Sequence, residues 1–457
     1  MKVIICGAGR VGSAIARHLS TENDVTVIDQ NAELVRKIGD ALDVKAMVGH
    51  ASRPDMLEAA GAKDADMVIA VTFADEVNMV ACQIAHSIFD VPTKIARVRE
   101  QAYLDPAWAD LFTRDHMPID VVISPEIEVA RAIERRLEVP GTIDMVPCCE
   151  GKVRLIGVHC NDDCPVINTP LRQLTELFPD LDIMIVGIVR DGQLSVPHGH
   201  DQLFAGDDVY FVAKADRVAR AVTAFGHEEA AARRMIIVGG GHIGLFLAQD
   251  LEANYSGLSL KVIEYGAEQA VHLADRLNRA VVLHGDALER EILDEANVSQ
   301  SEAIIAVTND DETNILVSLL AKRYGCAKSF TLVNNNAYWP LLTTLGIDVV
   351  VSPQESTVST ILQYVRRGQI HSVHSVRDGA AEMIEADALE TSPLVGRPLN
   401  EIKLPEGIVI GAIIHDGEVE IPRGSSVIRP KDRLVVFAEA KAVKKLENLF
   451  SVRLEFF

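Results

Sequence analysis

Two short glycine clusters carry the residues of this chain best placed to handle a ligand. Gly7-Ala8-Gly9-Arg10-Val11-Gly12 directly follows the apolar run at 3–6, and Gly239-Gly240-Gly241-His242-Ile243-Gly244 repeats the pattern 232 residues later. In a G-x-G-x-x-G turn between a buried strand and a helix, the first glycine permits the tight turn. The second lets backbone approach a pyrophosphate, and the third allows close helix–strand packing. The ligand's charge then meets free N–H groups at the positive end of the helix. An acid at the end of the next strand should grip ribose hydroxyls. Asp29 stands 20 residues after Gly9, and Glu264 stands 23 after Gly241, the excess falling at Tyr255-Ser256-Gly257. Acids at these positions disfavour a 2′-phosphate, so NAD(H) or adenine nucleotides are expected over NADP.

Other candidate constellations read more simply as structure. Tyr324-x-x-x-Lys328 has the spacing of a dehydrogenase pair, but Gly325 and Cys326 break the helix it requires and the first half has no counterpart. It is expected to mark a helix C-terminus. His198-x-His200 and His371-x-x-His374 are likewise unrepeated and read as solvated or core histidines. Cys148-Cys149 and Cys160-x-x-x-Cys164 lack paired C-x-x-C knuckles, so plain thiols are expected and no metal. No catalytic residue emerges. The nucleotide is expected to be sensed and not consumed.

The elements that must position the glycine loops are written twice. Val27-Ile28-Asp29 returns as Val262-Ile263-Glu264, and Met67-Val68-Ile69-Ala70-Val71-Thr72 as Ala303-Ile304-Ile305-Ala306-Val307-Thr308. Asp120-Val121-Val122-Ile123-Ser124-Pro125 returns as Asp348-Val349-Val350-Val351-Ser352-Pro353, and Arg190-Asp191-Gly192 as His415-Asp416-Gly417. A near-constant shift through successive landmarks means duplication of a whole half. The front of each half alternates Val/Ile-rich runs at 3–6, 25–28, 67–71 and 121–123 with amphipathic helical stretches, the signature of a parallel sheet with crossover helices. The back of each half shifts to short β-like runs (183–189, 209–212, 408–414, 434–437) punctuated by Asp-Gly turns.

The expected fold is therefore α/β and internally duplicated, with two Rossmann-like parallel-sheet domains, each followed by a small α+β module. The expected bounds are 1–124, 140–225, 234–352 and 372–453, with an exposed connector at 226–234.

Composition bounds the partners. The chain has 457 residues, 48% hydrophobic and 24% charged, with a net charge of −22. That acidity, without a dense Lys/Arg block, argues against a nucleic-acid or anionic-lipid surface. The apolar run around 408–414 is far too short for a membrane span, and the N-terminal apolar segment is too short for a signal peptide. Seven cysteines, an odd number spread along the chain, suit a reducing cytoplasm.

Residues 7–12, Asp29, the Val68-Ile69-Ala70-Val71-Thr72 strand and the Thr308-Asn309-Asp310-Asp311-Glu312-Thr313-Asn314 run resemble the nucleotide-binding domain of the RCK (KTN) family, regulators of potassium conductance. Pro393-Leu394-Val395-Gly396-Arg397-Pro398-Leu399, Ile421-Pro422 and Lys431-Asp432 resemble that family's C-terminal module. The resemblance implies a cytoplasmic homotetramer, peripheral at the inner face of the membrane. There it would assemble as a ring beneath a membrane-embedded potassium-translocating subunit, with NAD(H), ADP and ATP as regulatory ligands. Carried over by position, Gly7, Ala8, Gly9, Arg10, Val11 and Asp29, with Val71, Thr72, Arg97 and Arg99, would hold the first ligand. Gly239, Gly240, Gly241, His242, Ile243, Glu264, Thr308 and Asn309 would hold the second. Ala-Arg-Val-Arg at 96–99 becomes Leu-Val-Asn-Asn at 332–335, so the second site is expected to tolerate a terminal phosphate less well. The competing expectations are an NAD-dependent oxidoreductase and a redox sensor using the cysteines between 148 and 164.

Overall fold

In the computed structural model, residues 1–178, 181–229, 232–365, 370–377 and 379–450 are described. Part of the expected connector (230–231) and the last residues of the fourth expected segment (451–453) lie outside them. The chain divides into two compact units, residues 1–129 with 352–361, and residues 130–351 with 362–457.

The first unit holds a six-stranded parallel sheet. Its strands are β1 (Lys2–Cys6), β2 (Asp24–Asp29), β3 (Lys45–Val48), β4 (Met67–Ala70), β5 (Thr93–Arg97) and β6 (Val121–Ile123), in the order β3-β2-β1-β4-β5-β6. The central strands are buried along almost their whole length, as the unalternating Val/Ile runs require. Helices α1 (Arg10–Leu19), α2 (Ala32–Ala41), α3 (Pro54–Ala59) and α4 (Asp75–Ser87) form the crossovers. In α1 the buried residues are Val11, Gly12, Ile15, Ala16 and Leu19, one stripe at helical spacing. The Asn31 side chain caps α2 by accepting from the Glu33 and Leu34 N–H groups. Helix α5 (Pro125–Glu138) follows β6, with proline in its first turn as the Ser-Pro junction leads one to expect.

The second unit contains three sheets. The first is antiparallel: β7 (Thr142–Cys148), β8 (Val153–His159), β9 (Ile183–Arg190), β10 (Gln193–Ser195) and β11 (Asp208–Lys214), ordered β10-β9-β11-β8-β7, with α6 (Leu171–Leu177) and α7 (Val218–Ala224). A second parallel sheet follows, from β12 (Arg234–Val238), β13 (Ser259–Glu264), β14 (Val281–His284), β15 (Ala303–Ala306), β16 (Lys328–Leu332) and β17 (Val349–Val351). Its order, β14-β13-β12-β15-β16-β17, repeats that of the first unit. Its helices are α8 (His242–Asn254), α9 (Ala267–Arg276), α10 (Arg290–Glu295), α11 (Asp311–Arg323) and α12 (Trp339–Leu345), after which α13 (Pro353–Val365) leads on. The third sheet, β18 (Ile370–Val376), β19 (Ala381–Asp387), β20 (Ile408–His415), β21 (Glu418–Glu420) and β22 (Arg433–Glu439), has the order β18-β19-β22-β20-β21, and α14 (Val443–Phe450) packs on it.

The two small antiparallel modules share one core. Val186, Tyr210 and Val212 of one pack with Met383, Ala412, Val435 and Phe437 of the other. The contact is tight enough that a methyl group added at Gly187 would lie 3.1 Å from the Phe437 ring. Cys149 N–H donates to Glu385 at 2.8 Å and Val196 N–H to Glu439 at 3.1 Å, adding polar ties between modules. A cavity of about 220 Å³ opens between them, lined by Leu174, Ile185, Val409 and Ile421 with Arg172, His198 and Arg423 among its polar residues.

Most described residues of the connector are exposed, as expected, with one buried exception. His227 is buried, with Nε2 2.8 Å from His159 O and Nδ1 3.1 Å from Glu229.

Candidate functional site

Strand order reverses direction between β1 and β4 in the first sheet, and between β12 and β15 in the second. Such a switch point leaves a crevice at the carboxyl ends of the strands. Both glycine loops sit there.

The three glycines of each loop do different work. Gly7 has φ +115, and a Cβ there would lie 2.9 Å from Val71 O; Gly239 has φ +97 and the same tightness against Thr308 N. A Cβ on Gly12 would overlap Gly7 O, and one on Gly244 would overlap Gly239 O, so helix and loop touch at those points. Gly9 and Gly241 are different. A Cβ on either would meet nothing within 4 Å, although each is the N-cap of its helix. Neither helix start has a side-chain cap, so the first-turn N–H groups of α1 and α8 face open space where an anion can sit. The position between the first two glycines is Ala8 in one loop and Gly240 in the other. A Cβ on Gly240 would overlap the Leu273 side chain, which accounts for the additional glycine in that loop.

The two acids lie at the ends of β2 and β13 as expected, and each has a structural task as well. Asp29 accepts from Ala8 N at 2.7 Å and from Asn31 N at 2.8 Å. Glu264 accepts from Gly240 N and Gly266 N, both at 2.7 Å. Each carboxylate therefore ties its glycine loop to the following helix start while keeping lone pairs for a ligand's hydroxyls.

The far wall rests on buried polar residues that were not among the candidate ligand contacts. Thr72 donates from both N and Oγ1 to Asn78 Oδ1, at 2.8 and 2.7 Å, while Asn78 Nδ2 donates to Arg97 O at 2.9 Å. Asn314 does the same for Thr308 and Leu332 O. Both asparagines are fully buried. Asp75 accepts from the N–H groups of Arg99 and Glu100, and Asp311 from those of Asn334 and Asn335. The available signal was the repeat itself: Asp75-Glu76-Val77-Asn78 recurs as Asp311-Glu312-Thr313-Asn314.

The remaining candidates divide by exposure. Arg10, His242 and Asn309 are exposed, Ile243 is half-buried, and Val11 and Val71 are buried. Arg97 pairs with Glu126 at 3.1 Å, and its Nε is buried without a hydrogen-bond partner. Arg99 donates to Phe73 O at 2.7 Å, with its guanidinium 4.2 Å from the exposed Phe73 ring. Both arginines are thus already engaged by their own unit, which sequence spacing could not show.

The decoys fall away. Tyr324 caps the end of α11 while Lys328 opens β16, where its ammonium donates to Thr142 O at 2.9 Å and burial pushes its pKa down to about 8. His198 and His200 stack on each other, and burial pushes the His374 pKa down to about 4. Cys148 and Cys149 belong to the core between the small modules, whereas Cys160 and Cys164 belong to the core of the first module. Among the described residues no group of three or more His, Cys, Asp or Glu is placed to hold a metal. No helix among them is long and apolar enough to cross a membrane.

The duplicated crevice and its small modules have counterparts in known proteins. The TrkA-N domain model matches residues 3–125 and 235–353, and the TrkA-C domain model matches 156–226 and 383–451. The chain is 54% identical over 458 residues to the Trk system potassium uptake protein TrkA of Azorhizobium caulinodans, covering 100% of both chains. The chain belongs to the TrkA family. The TrkA of Halomonas elongata is 42% identical over 462 residues, again across 100% of both chains. These relatives are named as transport proteins, and the TrkA family is a transport family and not an enzyme family. At the level of fold alone, the GsuK channel matches with a TM-score of 0.62 at 18% identity, covering 99% of this chain and 79% of that one. The GsuK channel bound to NAD matches with a TM-score of 0.59 at 19% identity, over the same shares.

Proposed function

We propose that this TrkA-family chain is the peripheral regulatory subunit of a potassium uptake system, binding NAD(H) and adenine nucleotides in its two crevices and gating a membrane-embedded potassium-translocating partner. One observation carries the ligand reading. In both crevices the middle glycine fronts open space at an uncapped helix start, with a strand-end carboxylate beside it. That arrangement accepts a pyrophosphate on backbone N–H groups and a ribose diol on the acid. Residues 7–11, Asp29, Val71 and Thr72 would line the first site, and residues 239–243, Glu264, Thr308 and Asn309 the second. The buried Nε of Arg97 offers the first site a donor that Leu332 and Val333 cannot offer the second, which favours ADP or ATP in the first. Relatives named as Trk potassium uptake proteins supply the transport context, and a homotetramer is the assembly we propose for the ring.

A ligand can shift a gating equilibrium only by binding one state better than the other. The test is potassium flux through the reconstituted transporter with this protein present and NADH, ADP or ATP titrated. Flux that responds to at least one nucleotide supports the reading. Flux indifferent to all of them, despite binding measured by calorimetry, would overturn it.

A further inference from the structure

Strand β5 ends on Arg97, and Glu126 stands in the first turn of α5; their side chains form an ion pair at 3.1 Å. Both are largely buried. The pair is incomplete. It rests on one N–H···O contact, although a guanidinium and a carboxylate can join through two. Arg97 Nε and Glu126 Oε2 are buried without a hydrogen-bond partner among the described residues. Arg97 also stands beside the first crevice. Its carbonyl accepts from Asn78, whose Oδ1 holds Thr72, and a methyl group on Gly7 would lie 3.0 Å from Thr72 N. Arg99 is more firmly held, donating to Phe73 O at 2.7 Å and lying 3.9 Å from Asp75.

The repeat separates this pair from the fold that carries it. Asn314 donates to Leu332 O as Asn78 does to Arg97 O, so Leu332 takes the position of Arg97. Ser124-Pro125-Glu126 recurs as Ser352-Pro353-Gln354, so Gln354 takes the position of Glu126. The strand, the buried asparagine and the proline-led helix are all kept, while both charges are gone. A charge pair serving only the shared fold would be expected in both copies.

We propose that Glu126 sets the ligand preference of the first crevice, by holding Arg97 as an internal counter-ion that a nucleotide's terminal phosphate must displace. This rests on the nucleotide reading given above. With the adenosine half at Asp29, on the β2 side of the switch point, the rest of the ligand extends over the ends of β4, β5 and β6. There NADH brings a nicotinamide riboside whose reduced ring is uncharged, and ATP brings a terminal phosphate. The phosphate can complete the bonds that Glu126 leaves open on Arg97, but it meets a carboxylate beside the guanidinium. Two anions then compete for one cation at a largely buried place, where their mutual repulsion is weakly screened. Glu126 therefore opposes ATP more than NADH.

Binding to the full-length chain is measured by calorimetry in a Gly241→Ala background, whose added methyl blocks the second crevice. NADH and ATP are each titrated in EDTA and again in magnesium. Glu126→Gln is expected to raise ATP affinity relative to NADH by about fivefold or more in EDTA. Arg97→Leu removes the cation and should depress that ratio below the parent's. Arg97→Leu with Glu126→Gln, which installs the residue types of the repeat positions, should fall between Arg97→Leu and the parent. That comparison reads the repulsion by Glu126 even if Glu126→Gln alone folds poorly. A ratio indifferent to Glu126, with both nucleotides still bound, would overturn this proposal and leave the nucleotide reading standing. Loss of ATP affinity on Glu126→Gln in magnesium but not in EDTA would also overturn it, since the carboxylate would then hold a metal ion with the phosphate. A parent that binds neither nucleotide would overturn both readings.

Discussion

At the residue scale, the three glycines of a loop that look alike in sequence should respond oppositely to one added methyl group. Gly9 has φ −67 and open space in front of its missing Cβ. Gly9→Ala should therefore leave the unliganded protein's melting temperature within a degree or two, yet lower NADH affinity at the first site by tenfold or more, because the methyl occupies the pyrophosphate's place. Gly12→Ala forces a methyl into Gly7 O and should cost roughly 1–3 kcal/mol of stability, as overpacking does. Thermal melts paired with calorimetry separate the two effects. Asp29 shows how one side chain serves ligand and fold together. Its carboxylate accepts two loop N–H groups, so Asp29→Ala should weaken NADH binding by about 1.5–3 kcal/mol and also lower stability without ligand by about 1–2 kcal/mol. Unchanged NADH affinity in this variant would move the ribose site away from Asp29.

At the scale of elements, helix α5 meets α8 through a carboxyl pair. Asn254 Nδ2 donates to Glu134 Oε1 at 3.3 Å, and Glu134 also faces Asp250, with Glu138 and Tyr255 nearby. Burial first, then the hydrogen bond and charge of Asp250, raise the Glu134 pKa to about 7. A carboxyl raised in the folded state binds its proton more tightly there than in the unfolded chain. The pair therefore costs nothing at pH 4, and its cost grows as pH rises from the ordinary carboxylate range through 7. Glu134→Gln should leave stability unchanged near pH 4 and raise it at pH 8, by no more than about 1 kcal/mol because the group is only half-buried and solvent screens it in part. Denaturant titrations at the two pH values check the sign, and a variant less stable at pH 8 would mean that Glu134 is held ionised.

At the scale of the molecule, the second unit depends on a joint between its two small modules, whose facing strands lie far apart in the chain. Gly187 faces the Phe437 ring and Gly411 faces Val212, so the sheets approach closely only because two strand positions lack side chains. Gly187→Leu should wedge the modules apart, cost about 1–3 kcal/mol in denaturant melts, and leave the nucleotide crevices able to bind. If stability is unaffected, this joint does not hold the unit together.

Features with local signals were legible in the amino-acid sequence. The glycine spacing, the strand-end acids and the unalternating Val/Ile runs each follow from backbone sterics and the burial period of a strand, and the duplication let each reading be checked against its copy. The sequence also indicated that Tyr324 and Lys328 would not form a catalytic pair, because Gly325 breaks the helix between them, and the structure gives that glycine a φ of +104. What it could not determine were partners separated in the chain. Arg97 and Glu126 are 29 residues apart, Asn78 and Arg97 O are 19, and Cys149 and Glu385 are 236. The same holds for the two cysteine pairs, close in sequence but assigned to different cores once the β-sheets pair. Composition and periodicity say which residues seek burial or a hydrogen-bond partner. Which partner each one meets is settled by strand order and by how the sheets stack, both of which arise from contacts between distant parts of the chain.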